Sequence, residues 1–178
     1  MIGIDTNVLV RYLAQDDAAQ SRRATSFIER ECNEAAPGFV GLVVLVEVVW
    51  VSQSSYGAAR EEVADIVRRI LSSRHLAVQD AETAWKALRL FESSKADFAD
   101  CLVACSAAAA GCKSVATFDR QAAKAGMADN TKGSFVMTAA ARMAPPAAFL
   151  HAEFPAAADD LGDHALHDVV RRHEVTQV

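Results

Sequence analysis

Short apolar runs alternate with longer stretches of helical periodicity through the first two thirds of the chain, and that alternation admits few folds. Strands separated by helices pair in parallel, with the connecting helices packed on the sheet, so the chain reads as α/β. "MIGID" is the first strand, and Thr6 or Asn7 then caps a helix through "VLVRYLA". "AAQSRRATSFIERECNEAA" is amphipathic at helical spacing, and Pro37-Gly38 ends it before a short strand near Phe39 and Val40. In "AAREEVADIVRRILSS", residues Val63, Ile66, Val67, Ile70 and Leu71 keep the i, i+3, i+4 rhythm of a helix. "HLAVQ" is a third strand and "AETAWKALRLFESS" another helix. "DFADCLVACSAAAA" is a helix stopped by Gly111, which tolerates positive φ, and "SVATF" is a strand ending at Asp119.

The run "LVVLVEVVWV", residues 42–51, has valines that favour a strand and a length that favours a buried helix; a helix is the expectation. Glu47 interrupts it. Burying a lone carboxylate costs several kcal/mol, so a buried Glu47 must be protonated or find a cation.

At 178 residues, 52% hydrophobic and 23% charged, the chain suits one globular domain rather than a disordered one. Its longest apolar run, Phe39 to Val51, is too short for a bilayer and is broken by Gly41 and Glu47; the start lacks a basic leader. A cytoplasmic protein without membrane contact is expected. A net charge of −5 argues against tight, indiscriminate nucleic-acid binding. A nucleic-acid enzyme would need a local basic rim, for which Arg11, Arg22, Arg23, Arg68, Arg69, Arg74, Arg120 and Lys124 are available, although most of these suit solvated helix faces. Cys32, Cys101, Cys105 and Cys112 form no CxxC pair and have no His near them, so reduced structural thiols are expected rather than a zinc site.

The acids fall where chemistry collects. In open parallel sheets, ligands bind beyond the carboxyl ends of the strands, where Asp5 and Asp119 lie. Asp97 and Asp100 share one face of a helix's first turn, and Glu47 is on the helix leaving the second strand. Each has a structural alternative: Asp5 before a capped helix, Asp97 as an N-cap, Asp119 in a turn, Asp100 against the helix dipole. Jointly they argue for a counter-charge, because two carboxylates ~4 Å apart repel by about 4 kcal/mol at an effective dielectric near 20. Magnesium or manganese suits an all-oxygen site.

"IDTNVLVRYL", Glu47 after the second strand, "ADFADCLVACSA" and "VATFDR" together resemble the PIN domain, and specifically the VapC-type toxins, over about residues 1–130. The resemblance implies a three-layer α/β/α domain with a central, mainly parallel sheet. It implies a Mg2+- or Mn2+-dependent endoribonuclease, the toxin of a type II toxin-antitoxin system, that cleaves single-stranded RNA such as tRNA or ribosomal RNA. A VapB-like antitoxin and a homodimer are the implied partners. Asp5, Glu47, Asp100 and Asp119 match the family's acidic quartet, with Asp5 and Asp100 the chief metal ligands. Asp97 matches an additional acid and ranks below these. Thr6, Asn7 and Thr117 match polar positions that orient carboxylates or water.

Two other readings differ in class. A haloacid-dehalogenase-like phosphatase also begins with Asp at the end of a first strand, but wants a second Asp two residues on, where this chain has Asn7. A catalytically impaired PIN-like domain would bind metal or antitoxin without cutting. Residues 131–178 depart from the family: "GSFVM", near 134–137, suits a final short strand, and the rest is an Ala/Pro-rich tail holding three of the four prolines and four of the five histidines.

Overall fold

The computed structural model describes residues 1–119, 122–123 and 128–129. The expected tail and the strand near 134–137 lie outside the described residues. The chain divides into two compact units, Met1–Ala81 and a second beginning at Glu82.

In the first unit, β1 (Ile2–Gly3), β2 (Gly38–Val40) and β3 (Leu76–Val78) form a parallel sheet in the order β1-β2-β3, with Ile2 opposite Gly38 and Gly38 opposite Leu76. Helices α1 (Thr6–Ala14) and α2 (Ala18–Glu31) connect β1 to β2, and α3 (Leu42–Ser54) and α4 (Arg60–Ser72) connect β2 to β3. This is the expected α/β alternation. The core comprises Leu9, Leu13, Ile28, Val40, Leu45, Val48, Ile66 and Ile70, all fully buried. The helical periodicity read from Val63 to Ile70 is the buried stripe of α4.

Two boundaries differ from the sequence reading, the cap of α1 and the end of α2, each for a local reason, while α1 ends at Ala14 as read. Asp5, not Thr6 or Asn7, caps α1: its backbone is extended and its carboxylate accepts the Asn7 N–H at 3.1 Å. The end of α1 turns through Gln15, at φ 54, whose side-chain amide donates to the Tyr12 carbonyl at 2.8 Å and to Thr25 Oγ1 at 3.2 Å, offsetting the strain of a left-handed non-glycine residue. α2 stops at Glu31, ahead of Pro37, because Asn33 turns the chain, its carboxamide oxygen accepting the Ala35 and Ala36 N–H groups at 3.0 Å.

Gly38 holds β1 and β2 close. A Cβ there would come within 2.8 Å of Ile4 Cγ1 and 3.0 Å of Cys32 Sγ, and both residues are buried. Gly38→Ala is therefore expected to destabilise the protein by about 1–3 kcal/mol, the usual cost of overpacking, read as a lower urea midpoint. An unchanged midpoint would mean that Ile4 moves aside freely.

Asp16, in the turn between α1 and α2, ties α1 to the turn after α3. Arg11 Nη1 donates to both its carboxylate oxygens, at 2.7 and 2.6 Å, and the Tyr56 hydroxyl donates to Oδ2 at 2.7 Å. Burial works against the Asp16 charge, but the hydrogen bonds from Arg11 and Tyr56 outweigh it and hold its pKa below the ordinary 3.8. Burial, then the bond to Asp16, pushes Tyr56 from 10.0 up to about 12. The lowered acid gives stability that is present above its unfolded value and lost as pH falls through the folded one. The raised phenol gives stability that is complete below pH 10.0 and lost toward about 12. Subtracting the urea midpoints of Tyr56→Phe from those of wild type should leave a difference that disappears over that alkaline interval. A difference constant from pH 9 to pH 12 would refute the assignment.

The second unit holds α5 (Ala81–Ser93) and α6 (Phe98–Ala109), and β4 (Ala116–Thr117) pairs in parallel with β5 (Ala128–Asp129). Phe91 and Phe98 are fully buried and meet edge to face, ring centres 5.9 Å apart. Gly111, at φ +82, lies just past α6, as its place after the alanines suggested. Cys32, Cys101 and Cys105 are buried and Cys112 is exposed, and none of the four is in a disulfide. Among the described residues no helix is long and apolar enough to cross a membrane.

Candidate functional site

The acids singled out in the sequence fall into two sets. Asp5 and Glu47 belong to the first unit; Asp97, Asp100 and Asp119 belong to the second.

In the first set, β1 ends at Gly3 and the chain passes through buried Ile4 to Asp5, which caps α1 and is itself exposed. Thr6, the first helical residue, is buried, and its hydroxyl donates to Glu47 Oε2 on α3. This corrects the expectation for Glu47. α3 is indeed a helix, but Glu47 sits on its exposed side while Leu45, Val48, Val49 and Ser52 form the buried side. The carboxylate is tolerated by solvent and by the Thr6 hydroxyl, so its presence in an apolar run does not by itself require a cation. The helix start is held by Gln79, whose side-chain oxygen accepts the Leu42 N–H at 3.2 Å while its own N–H donates to the Val40 carbonyl at 2.8 Å. Gln79 was not singled out in the sequence, because nothing local marks a residue that caps a helix begun 37 positions earlier.

In the second set, Asp97 is the N-cap of α6, its carboxylate accepting the Asp100 N–H at 2.7 Å. That bond is the N-cap role that the sequence offered for Asp97 as its structural alternative. Asp100 is half-buried, and burial, followed by the charges of Asp97 and Asp119, raises its pKa above the usual carboxylate value. Asp119 follows β4; its N–H donates to Thr117 Oγ1 at 3.0 Å, and its carboxylate accepts the Ala122 N–H at 3.2 Å. Thr117 thus orients the backbone at Asp119, as Thr6 orients the Glu47 side chain. Asn7 meets Asp5 through its backbone N–H.

The donors in both sets are carboxylate oxygens, which fit a hard divalent cation better than zinc. Among the described residues, no group of three or more His, Cys, Asp or Glu stands together in a form that could hold a metal ion. The one His of the described residues, His75, has its Nδ1 2.7 Å from the Cys32 carbonyl oxygen, a fold contact remote in role from the acids. Of the basic residues considered for a rim, Arg11, Arg68 and Arg74 pair with Asp16, Asp65 and Glu34, while Arg120 and Lys124 lie outside the described residues.

A family model described as the PIN domain matches residues 2–127. The chain belongs to the PIN domain family. This PIN domain is similar to a VapC ribonuclease of Aquifex aeolicus (strain VF5), 27% identical over 123 residues, which cover 69% of this chain and 90% of that protein. No solved structure matches it significantly. The family match begins at β1 and ends just before β5, so it takes in all five acids.

Proposed function

We propose that this PIN domain is a Mg2+- or Mn2+-dependent endoribonuclease, the toxin component of a VapBC-like system, with a VapB-like antitoxin as its partner and RNA such as tRNA or ribosomal RNA as its substrate. The similarity to a VapC ribonuclease supports the reaction class. The observation that carries the reading is the family match over residues 2–127, which takes in Asp5, Glu47, Asp97, Asp100 and Asp119; beside it, burial and the charges of Asp97 and Asp119 disfavour ionisation of Asp100. Negative charge held against its own repulsion marks a place that expects a cation or a proton.

Asp5 and Asp100 would hold the ion, with Glu47 and Asp119 completing its oxygen shell. When bound, the ion supplies counter-charge to the phosphodiester and makes water acidic enough to attack near neutral pH. The protein's own residues do the rest. Thr6 fixes the Glu47 carboxylate to orient the attacking water, and Thr117 with the Ala122 N–H fixes Asp119. Asp97 holds the first turn of α6, and with it the position of Asp100. No serine, cysteine or histidine nucleophile is needed.

The test is incubation of the purified protein with single-stranded RNA and Mg2+ or Mn2+. Internal cleavage is expected. Intact RNA at high enzyme concentration would favour the reading in which the domain binds its partner without cutting.

A further inference from the structure

The exposed side of α3 carries Val43, Glu47 and Trp50, spaced by four and three residues and therefore on one face. A solvated helix normally presents charged or amide side chains there, yet Val43 is 73% and Trp50 65% exposed. An indole this open offers its ring face for stacking. It stands three residues, about 4.5 Å along the axis, from Glu47, whose carboxylate is oriented by Thr6.

We propose that Trp50 is a stacking platform for a base of single-stranded RNA, one that sets which nucleotide lies beside the acids; the inference rests on the ribonuclease reading above. Placement favours this occupant, because Trp50 shares an exposed helix face with Glu47, an acid of the proposed site. With a net charge of −5 the chain gains little from phosphate attraction, so holding a single strand calls for a contact that does not depend on cations. Base–aromatic stacking is such a contact, and it tolerates sequence because every base has a π-face. The same pairing of acid and open aromatic recurs in the second unit, where Phe118, 81% exposed, directly precedes Asp119. Trp50 is a positioning residue: it holds the strand and leaves the chemistry to the acids.

The chain has two tryptophans, Trp50 and Trp85, so Trp85→Phe leaves Trp50 as the only indole reporter. Titrating that variant with a single-stranded oligoribonucleotide in EDTA should quench its emission saturably. Trp50→Ala should bind a labelled strand about tenfold more weakly, Trp50→Phe should recover most of the affinity, and in Mg2+ the alanine variant should raise KM while kcat is largely kept. Emission indifferent to RNA, or Trp50→Ala binding as tightly as wild type, would overturn the proposal. So would emission that follows protein concentration instead, which would place a second copy of the chain on this face. Cleavage by the wild-type protein is scored separately, so failure of the platform and failure of the ribonuclease reading give different results.

Discussion

Asp100→Asn and Asp5→Asn should each lose RNA cleavage by ~10²-fold or more, because each removes a charge that the proposed ion needs and leaves a neutral oxygen in its place. What separates this from simple damage is the expected effect on stability. Asp100 has a raised pKa because it is half-buried and faces the charges of Asp97 and Asp119. A carboxylate with a raised folded-state pKa opposes folding at neutral pH, so its uncharged isostere should unfold no earlier than wild type. Asp5 is exposed and caps α1, and asparagine caps as well as aspartate does, so the helix should survive that change too. An inactive, fully folded Asp100→Asn is therefore the expected outcome; thermal unfolding followed alongside a cleavage assay reads both halves. Wild-type rates in either variant would remove that residue from the mechanism.

The second large effect concerns the ion. Chelation should abolish cleavage, and adding back Mg2+ or Mn2+ should restore it, since carboxylate oxygens prefer hard cations. An ion that binds only the folded protein also stabilises it by mass action, by about 2.7 kcal/mol at a hundredfold excess over Kd. Wild type should therefore melt higher in Mn2+ than in EDTA, and Asp100→Asn should show little of that rise. Cleavage that persists after exhaustive chelation would rule out a metal-dependent mechanism.

The fold was legible in the sequence wherever periodicity was strong. The alternation of strands and helices, the stripe from Val63 to Ile70, the helix after Asp97 and its end at Gly111 are all local signals, and each appears where it was read. The failures share a cause: they depend on partners distant in the chain. Glu47 looked buried because its neighbours are apolar, but α3 is apolar nearly all round and so its sequence does not show which side faces solvent. The same all-round apolarity hides the side that Trp50 faces. Gln79 capping α3 and Tyr56 bonding to Asp16 are contacts between separate elements that spacing does not reveal. The candidate acids were picked out by their places at strand ends and in a helix's first turn, and the resemblance then matched them to a family; the Asp97 cap and the place of Asp100 in the first turn of α6 were anticipated, whereas Asp5 took the cap that Thr6 or Asn7 was expected to provide.

Mn2+ binding, measured by calorimetry on wild type and on the Asp5→Asn, Glu47→Gln, Asp100→Asn and Asp119→Asn variants, tests the central claim most directly. Saturable binding to the wild-type protein, weakened tenfold or more by Asp5→Asn and by Asp100→Asn, is the expected result. No binding at millimolar Mn2+, or one affinity shared by wild type and all four variants, would contradict it.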